Sequence, residues 1–196
     1  MGGAVRTKVE RQRSPEGVPR PRIDPNEVKR FFNIIAPGEK ITFQTFTDAK
    51  KKPVQDPLRR IIHGHPDALI DLLSAINQKG GGIFWMVNRG DGRGRKASNV
   101  IEVRCPFIDL DGAPMSPLET SAMAPRVIVE TSRGKYHAYW DEITCPPGCF
   151  APMQIALARH FGADESVSDP PRVLRVPGFL HQKDEPFMTR IVRSTP

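Results

Sequence analysis

The segment Phe107-Ile108-Asp109-Leu110-Asp111-Gly112 is an apolar run that ends in two carboxylates one residue apart. Extended chain repeats its side-chain direction every second residue, so Asp109 and Asp111 would project from one face of a strand. Two like charges held that close repel, and a divalent cation bound by both is the simplest way to reconcile them. Ile101, Val103, Cys105 and Phe107 keep the same alternation, which predicts a strand from Val100 to Leu110. Taken alone, the pair also fits two solvated aspartates opening an Asp-Gly turn.

Other residues able to do chemistry lie downstream. Glu130 to Trp140 reads as a hairpin: two β-rich runs, Arg126 to Ser132 and Lys135 to Trp140, joined by Arg133-Gly134. In its second strand Lys135, His137 and Tyr139 share one face and Tyr136, Ala138 and Trp140 the other. A lysine and a histidine side by side suit an anionic ligand. A two-residue turn would set Glu130 opposite His137, where it could orient the ring. Asp164 and Asp169 follow, each a candidate third carboxylate. Arg172 to Lys183 then mixes Arg172, Arg175 and Lys183 with His181, an apolar strand and a Pro-Gly turn.

The elements that must position these groups follow from periodicity and punctuation. Asp24-Pro25 reads as an N-cap and first helical residue, with Val28, Phe31, Phe32 and Ile35 at helical spacing before Pro37-Gly38. Ile41 to Thr47 alternates as a strand. Pro66 opens a second helix with Leu69, Leu72, Leu73 and Ile76 on one face, ended by Gly80 to Gly82. Ile83 to Val87 is a short apolar strand. Asn88 to Lys96 carries Arg89, Arg93, Arg95 and Lys96 among three glycines and reads as an exposed basic loop. A further helix presents Met153, Ala156, Leu157 and Phe161 and stops at Gly162. Arg172 to Val176 and Met188 to Val192 read as closing strands. Strand, helix and hairpin alternate without a βαβ period, so the expected class is α+β with a mostly antiparallel sheet flanked by helices.

The 196 residues suffice for one ordinary domain plus a tail. Residues 1–23, basic and rich in proline and glycine, read as a disordered arm, and residues 24–196 as the folded domain. No apolar run approaches the roughly 20 residues that span a bilayer, so no membrane role is expected. Three scattered cysteines exclude a disulfide framework, and Cys145 and Cys149 make only half of a zinc site. A reducing, cytoplasmic setting is the expectation. The formal net charge of +7 favours a polyanionic partner. Arg89, Arg93, Arg95 and Lys96, with the arm, are the candidate contacts to a nucleic-acid backbone.

In order, the chain offers Asp-x-Asp at a strand end, a strand histidine, an aspartate and an Arg-rich Pro-Gly turn. Phe107–Gly112, Thr131–Trp140 and Ser168–Gly178 resemble the three motifs of the archaeo-eukaryotic primase superfamily, in its plasmid- and phage-encoded primase and primase–polymerase branch. The likeness extends from about Asp24 to Val192. It implies a catalytic core built on an RNA-recognition-motif-like sheet. It also implies primer synthesis or extension on single-stranded DNA from nucleoside triphosphates, by nucleotidyl transfer on two Mg²⁺ or Mn²⁺ ions held by Asp109, Asp111 and the third acid, in a plasmid- or phage-replication setting. A replicative helicase, or a further domain of a longer protein, would be the natural partner. Asp109 and Asp111 match the metal-binding pair of the first motif, and His137 matches the histidine that contacts the incoming triphosphate. Asp169 matches the third acidic position, with Asp164 as the alternative. Ser132, Lys135, Arg172, Arg175 and Lys183 fall among the polar and basic residues in and around the second and third motifs, for which the resemblance implies contacts to the nucleotide and its phosphates. No zinc module interrupts the motif core.

Two other readings compete. A relaxase-type nicking enzyme needs paired histidines and a nucleophilic tyrosine; His63-Gly64-His65 has the spacing, and Tyr136 and Tyr139 are the only tyrosines. A non-catalytic DNA-binding initiator or accessory module explains the charge but not the acids.

Overall fold

Asp24 caps the first helix: its carboxylate accepts the N–H groups of Asn26 and Glu27 at 3.0 and 3.2 Å. The structure, a computed structural model, describes residues 23–195 apart from 52, 142 and 144. The basic arm expected over 1–23 therefore lies, but for Ile23, outside the described residues. In chain order the elements are α1 (Pro25–Ile35), β1 (Ile41–Thr47), β2 (Arg60–Gly64), α2 (Pro66–Gln78), β3 (Gly81–Met86), β4 (Arg89–Gly90) and β5 (Val100–Glu102). There follow β6 (Phe107–Leu110), α3 (Ser116–Thr120), β7 (Val127–Ser132), β8 (Lys135–Tyr139) and α4 (Phe150–Phe161). The chain closes with β9 (Val173–Arg175), β10 (Leu180–His181), β11 (Phe187–Met188) and β12 (Arg190–Ser194).

Two four-stranded antiparallel sheets carry the fold, in the orders β2-β1-β3-β9 and β12-β7-β8-β6. The expected class, α+β with antiparallel pairing and flanking helices, is what forms, but with two four-stranded sheets where one was expected. Strand alternation sorts each sheet into two faces. Phe43, Trp85 and Leu174 of the first sheet meet Phe107, Val127, Val129 and Tyr139 of the second in one core, which also takes in α1 and Leu73 and Ile76 of α2. Phe31 packs edge-on against Trp85 and Tyr139 at 5.3 and 5.5 Å, tying α1 to both sheets. The other face of the second sheet, Ile108, Leu110, Ile128, Ala138 and Trp140, is covered by Leu118 of α3 and Leu157 and Phe161 of α4.

Several expectations need correction. The strand predicted from Val100 to Leu110 is two: β5 pairs with β4 and β6 pairs with β8. Pro106 has no N–H for a ladder, and the Arg104 N–H is taken by Asn88 Oδ1, so the chain changes sheets between the two strands. Within α2, Leu72 is exposed, and Ser74 and Asn77 share the buried face with Leu73 and Ile76. Asn77 explains the rotation, because its amide bonds Gly81 O and Leu180 O and receives Leu180 N–H. Only Gly80, at φ +91°, ends the helix; Gly81 and Gly82 open β3, and a Cβ on Gly81 would come within 2.5 Å of the Ile76 side chain. In α4 it is Gln154, not Ala156, that joins the buried face. The basic 88–96 segment is partly structured through β4, and Arg95 is half-buried.

Candidate active site

β6 and β8 are adjacent and antiparallel, and Asp109 stands directly opposite His137 in their register. That pairing continues the inner face of the second sheet outward: Phe107 and Tyr139 are sealed in the core, while Asp109 and His137, one step further along, reach its edge. Beyond β6 the chain turns through Asp111 and Gly112, with Gly112 at φ +92° and its N–H on Leu110 O. Gly112 thus makes the turn that leaves Asp111 exposed on the same side. The β7–β8 hairpin turns at Gly134, φ +70°, and is out of simple register between Glu130 and Ser132. That shift corrects the expected pairing. Val129 faces His137, Glu130 faces Tyr136, and the Glu130 carboxylate is held by Arg190 at 2.8 and 3.0 Å.

These residues form one wall of a cleft of about 260 Å³, whose opposite wall is β9 and the chain on either side of it. Asp109, Asp111, Ser132, Lys135, His137, Arg172, Arg175 and Lys183 all line it. His181 of the Arg172–Lys183 segment lines it too, with Thr131, Phe84 and Val167, which were not singled out from sequence. His181, beside the Pro-Gly turn, carried the one legible signal among them; its Nδ1 lies 3.0 Å from Thr131 O, linking the two walls.

The electrostatics are unequal. Burial, then the negative charges of Asp111 and Asp164, push the Asp109 carboxyl up to about 6. Burial, then the Arg175 charge, takes His137 down to about 3, so its imidazole is neutral. Tyr139 Oη lies 3.4 Å from His137 Nδ1, and a hydroxyl donating there leaves the proton on Nε2, 3.7 Å from Asp109 Oδ1. Lys135 is ion-paired with Asp111, which raises its pKa.

The third acid does not join the pair. Asp169 is ion-paired with Arg172 and does not line the cleft. Asp164 is nearer, its N–H bonded to Asp109 O at 3.2 Å, but its carboxylate accepts Ser166 N–H. Among the described residues no three His, Cys, Asp or Glu side chains converge as a metal site. Asp109 and Asp111 still suit a hard cation. Both offer oxygen ligands, and Asp109 sits in a repulsive field that a positive ion would relieve.

Arg175 departs from the phosphate-contact role implied for it. Its guanidinium is clamped on Asp48 at 2.7 and 2.8 Å and lies 4.7 Å over the Phe84 ring, so its charge is already matched. The proposed DNA contacts disperse. Arg89 pairs with Glu102 and Glu39, Arg93 and Lys96 are exposed on the 91–99 turn, and Arg95 reaches toward Pro171. None of the four lines the cleft. His63 and His65 line a different groove, in which no tyrosine stands, and Tyr139 is sealed in the core. The relaxase reading loses its constellation.

The Asp109 environment has a consequence for stability. Its folded pKa lies above the ordinary value of 3.8, so its contribution is fully present below about pH 4 and is lost as pH rises through about 6. Asp109→Asn is expected to raise the thermal midpoint of the metal-free protein at about pH 8 and to change it little at about pH 4. A midpoint lowered at the higher pH would contradict this placement of charge.

Residues 106–193 match the family model of the RepB DNA-primase N-terminal domain. Three solved structures share the fold. The catalytic domain of primase RepB′ in complex with initiator DNA aligns with a TM-score of 0.64 at 18% identity, over 87% of this chain and 84% of that one. The primase–polymerase domain of cyanophage S-2L aligns at 0.69 and 16% identity, over 89% and 92%. A second primase RepB′ structure aligns at 0.64 and 16% identity, over 87% of this chain and 56% of that one. No curated protein sequence matches. The resemblance to the plasmid- and phage-type archaeo-eukaryotic primases, read from three motifs, is borne out, and the fold is that of their catalytic domains.

Proposed function

We propose, with that fold as the premise, that the cleft transfers nucleotides to a 3′-hydroxyl on a single-stranded DNA template, using nucleoside triphosphates to make or extend a primer. The observation that carries this is the meeting of Asp109, Asp111, Lys135 and His137 in one cleft, on the adjacent strands β6 and β8 and the turn that follows β6. Asp109 and Asp111 would hold Mg²⁺ or Mn²⁺, which when bound acidifies the attacking hydroxyl and neutralises charge on the triphosphate. The protein's own part is positioning and charge stabilisation, with no covalent intermediate.

A neutral His137 with its proton on Nε2 presents a hydrogen-bond donor to a phosphate oxygen without adding charge. Lys135 is poised to exchange its bond to Asp111 for one to the triphosphate once Asp111 is otherwise engaged. Arg172 and Lys183 flank the same cleft and screen the remaining negative charge. Ser132, beside them, offers a hydroxyl for orientation. Arg175, matched by Asp48, shapes the wall. The single strand would be gripped by basic residues outside the cleft, and a helicase or a further domain is the natural partner for delivering it.

The test is incubation with a single-stranded template, labelled ATP or dATP and Mn²⁺, with and without an annealed primer. Labelled product in either arm, dependent on the metal, is the expected result, and the two arms separate initiation from extension. Binding of the template with no incorporation in either arm would favour the accessory-module reading.

A further inference from the structure

The first sheet buries one face in the core, and on its other face Thr42 and Gln44 are covered as well, Gln44 by its bond to Arg95. Thr42, Gln44 and Phe46 of β1 alternate onto that outer face, where Gln44 stands opposite Phe84, a residue of the cleft wall. Phe46 and Phe84 stack with ring centres 4.4 Å apart, and neither is fully buried. Arg95 lies over this face. Its Nε donates to Gln44 Oε1 at 2.9 Å and its Nη1 to Pro171 O at 3.0 Å, both neutral acceptors. Gln44 Nε2 in turn donates to Arg60 O, fixing the start of β2, where Arg59 is exposed. Burial lowers the Arg95 pKa. Asp169 offsets that, and Arg59 and Arg172 lower it again, so three cations share one field. Beside them stands the carboxylate of Asp169, which is itself ion-paired with Arg172, so the cations outnumber the anion they share. Cations in a row suit a single strand, whose phosphates need neutralising.

We propose that the template strand leaves the cleft across the outer face of the first sheet, its phosphates on Arg172, Arg95 and Arg59. From β9 to β2 this is three strand spacings, about 14 Å. The proposal rests on the primase reading, since it is the cleft that needs a template.

The experiment measures binding of a fluorescent single-stranded oligonucleotide to the full chain over a salt series, for Arg59→Ala, Arg59→Glu, Arg95→Ala and the Arg59→Ala/Arg95→Ala pair. Each single alanine is expected to weaken binding several-fold and the pair about tenfold, with the log–log salt slope falling by about 0.7 per lost phosphate contact. Binding of ATP with Mn²⁺ should be unchanged in Arg59→Ala. Lys29→Ala, on α1 away from this face, should bind DNA as the unsubstituted protein does. Arg59 is exposed, so its variants report on contact rather than folding. Unchanged affinity and slope in Arg59→Glu would overturn the track. If the unsubstituted protein incorporates nucleotides while that happens, only the track falls. If it binds DNA through Arg59 and Arg95 but incorporates nothing, the primase reading falls and the surface stands.

Discussion

Asp109→Asn and Asp111→Asn are each expected to lower nucleotide incorporation by at least about 10³-fold. Removing one preorganised group that stabilises transition-state charge already costs about 10²–10³. Each change also deletes half of the pair that would hold the metal. The amide keeps the shape of the carboxylate, so little else should move. Asp111 and Lys135 form a half-exposed ion pair, with side chains 62% and 48% accessible, whose loss costs at most about 1 kcal/mol. Asp109→Asn removes a carboxylate under repulsion and should not destabilise the fold. A second readout separates metal binding from activity: Mn²⁺ should raise the thermal midpoint of the unsubstituted protein and not that of the double asparagine variant. Full incorporation by either single variant would remove the proposed role of the cleft.

Arg175→Ala is expected to cost about 3–5 kcal/mol of stability, several times the loss expected from breaking the exposed Lys135–Asp111 pair. The Asp48 side chain is only 4% exposed and Arg175 14%, so truncating the arginine strands a buried carboxylate with the Gln182 N–H and little else. Lysine should not rescue it, because a point charge cannot reproduce the two-pronged bond. Burial works to raise the Asp48 pKa, but the bonds and charge of Arg175 outweigh it and hold the carboxyl below the ordinary 3.8. A depressed folded value means that this stabilisation is present above about pH 4 and is lost as pH falls through the lowered pKa. Urea unfolding of the two proteins near neutral pH and in acid measures both statements. Stability within about 1 kcal/mol of the unsubstituted protein, together with a raised KM for the triphosphate, would return Arg175 to the phosphate-contact role.

Much of the architecture was legible from local pattern. β1 runs from Ile41 to Thr47 as its alternation predicts, α1 begins at the Asp24-Pro25 cap, and α4 ends at Gly162. These features depend on steric periods and capping bonds between residues a few positions apart, which sequence displays directly. The same holds for the faces of β8: Lys135, His137 and Tyr139 project together because side-chain direction alternates along any strand. Placing Glu130 opposite His137 failed because a one-residue irregularity in β7 shifts register, and no residue type announces it.

The amino-acid sequence by itself determined the order of three motifs, the carriers of charge and the faces they occupy within their own strands. Tertiary structure alone decided which charges meet. Asp48 and Arg175 are 127 positions apart and clamp each other, Asp169 is drawn off by Arg172, and Arg95 is fastened by uncharged acceptors over the face of the first sheet opposite the core. The physical reason is range. Backbone periodicity acts between neighbours in the chain, whereas a carboxylate or guanidinium takes whatever partner the packed sheets bring within about 3 Å.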